Sequence, residues 1–481
     1  MAPTPDPGLA GSKPNILLIV LDSVRQDHLT PYGYERSTTP ELETLCRSAT
    51  RYDQAIAAAP WTPPSHGAMF TGQYPSHCGV FGRQPELSTD QPILADELSK
   101  VGYNTYGYSN SHHISPRNGF DYGFGQYHDI LSLPRIAGQP FEPSVSFFKT
   151  TAMHLYREYD LSYFQLNRLK RSISQEVEPF FAFINLNSAH APYDPPPAFE
   201  SRFEVSLDLT NGVDESAARS VATQAGYEYM MGEIPMTDAE WELVESWYDA
   251  EIAYLDALLG ELFDSLRSQN LFDETMIIIT SDHGEHFGEN GLAYHQFSLS
   301  DVLLNVPLII KWPGQQKGKS SDELISLTDV PATCLDLSTG QVPETMDGRS
   351  LYSDPEPDAV FAEYGRPYSG VLNNLVSAMF SAFDIESESI AERLAQYQDR
   401  IDRYDRGLQA VRTTDHKLVR STNGTTRLFD VDGSEDQTSD DALRTALTRR
   451  LNQTLGQLPT GSHSEDLPEH VEQHLEQMGY L

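Results

Sequence analysis

Cysteine is nearly absent from this chain. Cys46, Cys78 and Cys334 are the only three among 481 residues, and they form no CxxC pair, which argues against a disulfide scaffold or a structural zinc site. Positive charge is scarce as well: 33 Lys and Arg stand against 70 Asp and Glu, a formal net charge of −37, and lysine is scarcer than arginine. An acidic excess of that size cannot be packed, so it coats the surface and disfavours nucleic acid and anionic membranes as partners. The acid is spread along the chain rather than blocked at one end, which suits a protein kept soluble in very high salt, where repulsion is screened at short range. A halophile's cytoplasm is the expected setting. Long apolar runs are missing too. Ile16 to Leu21 is far too short for a signal or a membrane span, and the Pro/Gly-rich opening MAPTPDPGLAGSKP supplies no basic region before it. No internal repeat is present.

What is present is an alternation of strands and helices. NILLIVLD is a continuous apolar run ending in Asp22, the pattern of a parallel strand buried on both faces. FFAFINLN, TMIIITSDHG and VPLIIKWPG repeat it, each closing on polar residues or a turn signal. The segment TDAEWELVESWYDAEIAYLDALLGELFDSL has a capping box at Thr237 and Glu240. Trp241, Val244, Tyr248, Ile252, Leu255, Leu259, Leu262 and Leu266 then follow as one apolar stripe. It reads as a crossover helix rather than a binding device. Ligand sites of open α/β sheets gather at the carboxyl ends of strands, so Asp22, Asn187, His190, Asp282 and His283 are expected to converge there.

From Ala359 the pattern changes to AVFAEYG, a charged helix-like stretch through Arg406, and GLQAVRTTDHKLVRSTNGTTRLFDVDG. The last part reads as short antiparallel strands with Asn423 and Gly424 at a hairpin turn, and after Leu451 an acidic surface helix and tail are expected. The expected division is a flexible tail over 1–12, an α/β catalytic domain over 13–355, a C-terminal subdomain over 356–455 and an acidic tail over 456–481.

The chemistry starts at WTPPSHGAMFTGQYP, Trp61 to Pro75. Pro63 and Pro64 fix φ and remove two backbone donors, so Thr62 is expected in an extended turn that aims its hydroxyl. The plain alternative is that Thr62 or Ser65 caps the helix through Ala68 to Thr71. Asp22, Asp282 and His283 are hard or borderline ligands of the kind a divalent cation needs, although each alone reads equally well as a cap or a turn. A cation beside Thr62 would depress the hydroxyl pKa and make a poor nucleophile competent.

In order, LDSVRQDHL, WTPPSHGAMFTGQYPSHCGV, LSKVGYNTYGYSNSHH, NLNSAHAPYDPP, YLDALLGELFDSLRSQNLFDETMIIITSDHGEHFGENG, VPLIIKWPG, SLTDVPATCLDL and LFDVDGSED resemble the sulfatase family of the alkaline phosphatase superfamily, from about Lys13 to about Asp436. The resemblance implies an α/β fold: an alkaline phosphatase-like central mixed sheet flanked by helices, with a small C-terminal antiparallel sheet subdomain. It also implies an ester hydrolase. The departures matter. Where the family has a Cys or Ser that becomes formylglycine in a CxPxR motif, this chain has Thr62, Pro64 and His66, and threonine cannot be so converted. The paired aspartates of the first strand are Asp22 and Ser23, and the lysine and histidine of the middle loop align with Asn110 and His112.

The set Asp22, Thr62, Asp282 and His283 instead resembles the one-metal, threonine-nucleophile members acting on phosphate esters, such as lipoteichoic acid synthase and phosphoethanolamine transferases; phosphonate monoester hydrolases share much of the loop. The resemblance thus implies Thr62 as nucleophile and His190, His295 and His112 as acid–base candidates. Asn110, His66 and Ser65 are the expected substrate contacts. One divalent cation is implied, Mn or Ca ahead of Zn or Mg. The expected substrate is a phosphate mono- or diester or phosphonate ester, small or linked to a glycan or lipid. Sulfate ester hydrolysis without formylglycine and a noncatalytic binding role on the same scaffold are the alternatives. A two-metal phosphatase or mutase lacks a matching ligand set here.

Overall fold

The computed structural model describes residues 13–82, 86–129, 161–174, 179–203, 213–223, 225–365, 397, 399–400, 402–404, 406–430 and 440–457. The expected tail over 1–12, all but the first two residues of the one over 456–481, and most of the charged stretch before Arg406 lie outside them. Fourteen strands are described, in chain order: β1 (Asn15–Leu21), β2 (Thr50–Ile56), β3 (Asn104–Ser109), β4 (Gln126–His128), β5 (Phe180–Leu186), β6 (Thr275–Thr280), β7 (His286–Phe287), β8 (Ala293–Tyr294), β9 (Asn305–Lys311), β10 (Lys319–Ser326), β11 (Val360–Tyr364), β12 (Leu408–Arg412), β13 (His416–Ser421) and β14 (Thr426–Asp430).

Eight of them form one sheet in the order β10-β2-β9-β6-β1-β5-β3-β4. β1 lies at its centre, parallel to β5 and β6, with Leu18 opposite Phe183 and Ile278. Both faces of the central strands are covered, which is why β1, β5 and β6 are apolar without alternation. The run VPLIIK departs from its expected direction. β9 is buried like a parallel strand yet pairs antiparallel with both β2 and β6, so burial on two faces, not strand direction, produced its pattern. β2 and the edge strand β10 have mixed polarity because parts of both reach solvent, and no apolar run marks them in the sequence.

The capping box at Thr237 and Glu240 forms and opens a 31-residue helix, Asp238–Ser268, whose apolar stripe is buried throughout. No helix among the described residues is long and apolar enough to cross a membrane. The C-terminal strands pair antiparallel in the order β11-β12-β13-β14, with Gly424 at φ +85° in the hairpin turn, where glycine alone is unstrained. The following helix begins at Asp441, ahead of the expected position after Leu451, and its Leu447 and Leu451 are buried against this sheet. The same small core includes Ala58, Ala68 and Tyr74, and the Glu363 N–H donates to the Ala58 carbonyl at 2.9 Å. The C-terminal sheet therefore backs the segment that carries Thr62.

Candidate active site

The helix of the WTPPSHG segment runs from Thr62 to Thr71, so Thr62 is its first residue and not part of an extended turn before it. Trp61 occupies the cap position and its side chain makes no capping hydrogen bond, so neither Thr62 nor Ser65 is the cap. Two consecutive prolines fit here because first-turn N–H groups have no intrahelical acceptor and the ring fixes φ at a helical value. The whole helix is buried, and the Thr62 hydroxyl lies 3.3 Å from His283 Nε2.

Asp22 follows β1, and Asp282 and His283 follow β6. Neighbouring parallel strands deliver these residues to one sheet edge, and their ligand atoms all lie within 4.8 Å of one another. The His283 Nδ1–H donates to the Gly284 carbonyl at 2.9 Å, which leaves the lone pair on Nε2. That nitrogen sits 3.3 Å from Asp282 Oδ2 and 3.8 Å from Asp22 Oδ1. Asp282 Oδ1 accepts the Ser23 and His283 amides, whereas the buried Oδ2 receives no hydrogen bond. Two carboxylates and an imidazole lone pair converge, and of the four carboxylate oxygens Asp282 Oδ2 is the one that receives no hydrogen bond. Hard oxygens with one borderline nitrogen suit a divalent cation, so the residues fit one.

The electrostatics agree. Burial pushes the Asp22 carboxyl upward, but His190, His283 and His66 outweigh it and hold it below the ordinary range. Burial and the Asp22 charge drive Asp282 well above that range. Burial lowers the pKa of the His66 and His283 rings, opposed in part by Asp22. Gly284 is required by close approach, because a Cβ there would collide with the Val302 carbonyl.

The remaining candidates divide. Ser65 Oγ donates to the Asp282 carbonyl at 2.7 Å, so its hydroxyl is occupied in holding the ligand loop. His66 Nδ1–H donates to the Thr62 carbonyl at 2.9 Å and lies 3.5 Å from Asp282 Oδ2, while its buried Nε2 has no hydrogen bond. His190 is half-buried; its Nδ1–H donates to the Ala191 carbonyl and its ring centre lies 5.0 Å from that of His295. His295 stacks on His283 with ring centres 4.3 Å apart. Burial, with the nearby His190, lowers the His295 pKa to about 3, which favours the uncharged ring. Asn110 is buried and donates to Ser162 Oγ at 3.2 Å, with Oδ1 unpartnered. His112 lies outside the three-residue ligand cluster, its ring paired with His113 at 4.2 Å.

The convergence expected of Asn187 belongs instead to Asn185, two residues earlier within β5, whose Nδ2 donates to Asp22 Oδ2 at 3.1 Å. A lone amide inside the apolar strand FFAFINL was the available signal. Glu285 also escaped the sequence reading. It is fully buried, its Oε1 lies 3.2 Å from His295 Nδ1, and burial pushes its carboxyl up to about 8 despite His190 and His286. Nothing in its spacing separates it from an exposed turn glutamate.

Residues 14–340 match the family model described as Sulfatase. The chain is 23% identical over 487 residues to an ulvan-active sulfatase of Formosa agariphila, covering 95% of this chain and 83% of that one. It is 25% identical over 354 residues to arylsulfatase K of Canis lupus familiaris, covering 70% of this chain but only 65% of that protein's length. Among solved structures it resembles the phosphonate monoester hydrolase of Agrobacterium radiobacter, with a TM-score of 0.68 at 19% identity over 92% of this chain and 95% of that one. This last likeness bears on the fold, a mixed sheet flanked by helices with a small C-terminal sheet. With a family match across more than half its length, the chain belongs to the sulfatase family and is an ester hydrolase of the alkaline phosphatase-like fold.

Proposed function

We propose that this ester hydrolase uses Thr62 as its nucleophile on phosphate or phosphonate esters, with one divalent cation held by Asp22, Asp282, His283 and Thr62. The observation that carries this is the Thr62 hydroxyl 3.3 Å from the lone-pair nitrogen of His283, beside two buried carboxylates of which Asp282 Oδ2 has no hydrogen-bond donor. When bound, the cation lowers the hydroxyl pKa and offsets charge developing on the ester oxygens. Asn185 and the Ser23 amide fix the two carboxylates, and Ser65 holds the Asp282 backbone. His190, with Nδ1–H tied to a carbonyl, keeps Nε2 for the leaving oxygen and is the candidate acid.

Chemistry favours phosphorus over sulfur. Formylglycine enzymes release sulfate by elimination from a hemiacetal, a route closed to a threonine ester. A phosphothreonine is instead resolved by in-line attack of water or an acceptor hydroxyl. The second reading, sulfate ester hydrolysis, is supported by the sulfatases among the relatives.

The test is a panel of p-nitrophenyl phosphate, a p-nitrophenyl phosphodiester, a phosphonate monoester and p-nitrophenyl sulfate, assayed with Mn²⁺ or Ca²⁺ in molar salt. Trapping followed by mass spectrometry is expected to place a phosphoryl group on Thr62. Thr62→Ala is expected to lower turnover by roughly a thousandfold or more, with Thr62→Ser retaining part of it. Near-normal rates in Thr62→Ala overturn the nucleophile, and exclusive turnover of the sulfate selects the second reading.

A further inference from the structure

We infer that Tyr248, a core residue of the long crossover helix, positions the turn at Asp22 and thereby sets how tightly the site holds its cation. This rests on the cation reading above and gives a helix that looked purely structural a part in the site. Tyr248 is fully buried. Its hydroxyl donates to the Ser23 carbonyl at 2.8 Å and accepts the Arg25 amide N–H at 2.7 Å. These two bonds bracket Ser23, whose φ is +64°, a left-handed conformation that a residue bearing a Cβ disfavours. Such strain persists only where surrounding contacts over-determine it.

The turn has a use. It aims two successive amides at the neighbouring ligand loop: Ser23 N–H donates to Asp282 Oδ1 at 3.3 Å, and Val24 N–H donates to Ser281 Oγ at 3.0 Å. Ser281 Oγ in turn donates to the His283 carbonyl at 2.6 Å. The left-handed turn therefore registers the ends of β1 and β6 on one another, which fixes the separation of Asp22 from Asp282 and His283. If Ser23 relaxed to an ordinary φ, both amides would turn away and the ligand atoms would lose their common centre. The hydroxyl acts from a third element, outside both loops. The Tyr248 ring is held separately, by Phe287 with ring centres 4.8 Å apart and by His28 at 5.1 Å, so removing the oxygen alone leaves its packing in place.

The test compares Tyr248→Phe with Tyr103→Phe in the full chain. Tyr103 is also buried, and its hydroxyl bonds Pro14 O and Ser338 Oγ at 2.9 and 3.0 Å, away from the Ser23 turn. Calorimetric titration of metal-free protein with Mn²⁺, and separately Ca²⁺, reads the affinity; hydrogen exchange reads the Arg25 amide. Loss of two neutral hydrogen bonds is expected to raise Kd about tenfold in Tyr248→Phe and to speed Arg25 exchange. Tyr103→Phe is expected to keep the original Kd. Unchanged affinity in Tyr248→Phe, or equal weakening in both variants, overturns the inference while leaving the cation site standing. An unmodified chain that binds neither cation overturns the cation reading itself. The unmodified chain supplies a check without any variant: slow exchange at the Arg25 amide is required, and free exchange there also overturns the positioning role.

Discussion

The short helix Asp301–Leu304 connects two charge clusters, one closed by partners within the chain and one left open. Its Leu303 carbonyl accepts the Gly284 N–H at 2.9 Å, beside His283, while Asp301 at its start meets the C-terminal sheet. There Lys417 Nζ donates to Asp301 Oδ1 at 2.6 Å and to the Leu299 carbonyl at 3.1 Å, and Arg412 binds Asp301 Oδ2. Burial pushes Asp301 upward, but Lys417 and Arg412 outweigh it and hold it below the ordinary carboxylate range. At Asp22 and Asp282 no lysine or arginine among the described residues answers, and Asp282 is driven the other way. Buried charge is costly unless paired. The cluster at Asp301 closes within the chain and ties the C-terminal sheet to the helix before β9; the one at Asp22 and Asp282, left open in its charge, is where we propose the cation.

The difference predicts opposite consequences for similar substitutions. Asp282→Asn has the largest expected effect: loss of Mn²⁺ binding and a fall in turnover of roughly a thousandfold or more. Yet its metal-free melting temperature is expected to equal or exceed that of the unmodified chain, since one of two repelling buried carboxylates is gone. Asp301→Asn is expected to do the reverse. It strands two buried cations and costs about 3 kcal/mol of stability, read by denaturant unfolding, while Mn²⁺ affinity changes little. If both variants shift stability with the same sign, the comparison fails.

A smaller effect sharpens the open cluster's chemistry. His190→Ala is expected to slow an alkyl phosphate ester roughly 100-fold more than its p-nitrophenyl counterpart, because a stable phenolate leaves without an acid. Equal losses on both substrates would make His190 a binding residue. The smallest effect calibrates ionic contact without deep burial. His77 bonds Asp347 at 2.7 Å and faces the Thr454 carbonyl at 3.1 Å; the Asp347 bond raises its pKa, opposed by burial. A raised folded-state value means that its contribution is fully present below the unfolded histidine value and is lost as pH rises through the folded one. His77→Gln is therefore expected to flatten the stability profile across that window by roughly 0.5 kcal/mol, given solvent screening. A profile unchanged by the substitution would show that the pair contributes nothing.

Much of this molecule is legible in its residues, for identifiable physical reasons. Strands buried on both faces must be apolar throughout, so β1, β5 and β6 announce themselves, and the polar residues that stop them mark the sheet edge where ligands gather. A 31-residue amphipathic helix with a capping box is a local pattern, as is a hairpin turned at Asn423 and Gly424. Asp22, Asp282 and His283 were therefore within reach of reading alone. Whatever depends on which surfaces meet was not. The reversed direction of β9 leaves no trace in a strand that is apolar either way. Asn185 supplants Asn187 because the register of β5 on β1, not its nearness to the strand end, brings its amide to Asp22. Tyr248 looks like any other member of an apolar stripe until its hydroxyl is seen between Ser23 and Arg25. Periodicity reports how deeply a side chain is buried; which polar atoms share that interior, and with what charge, is decided only when distant segments pack.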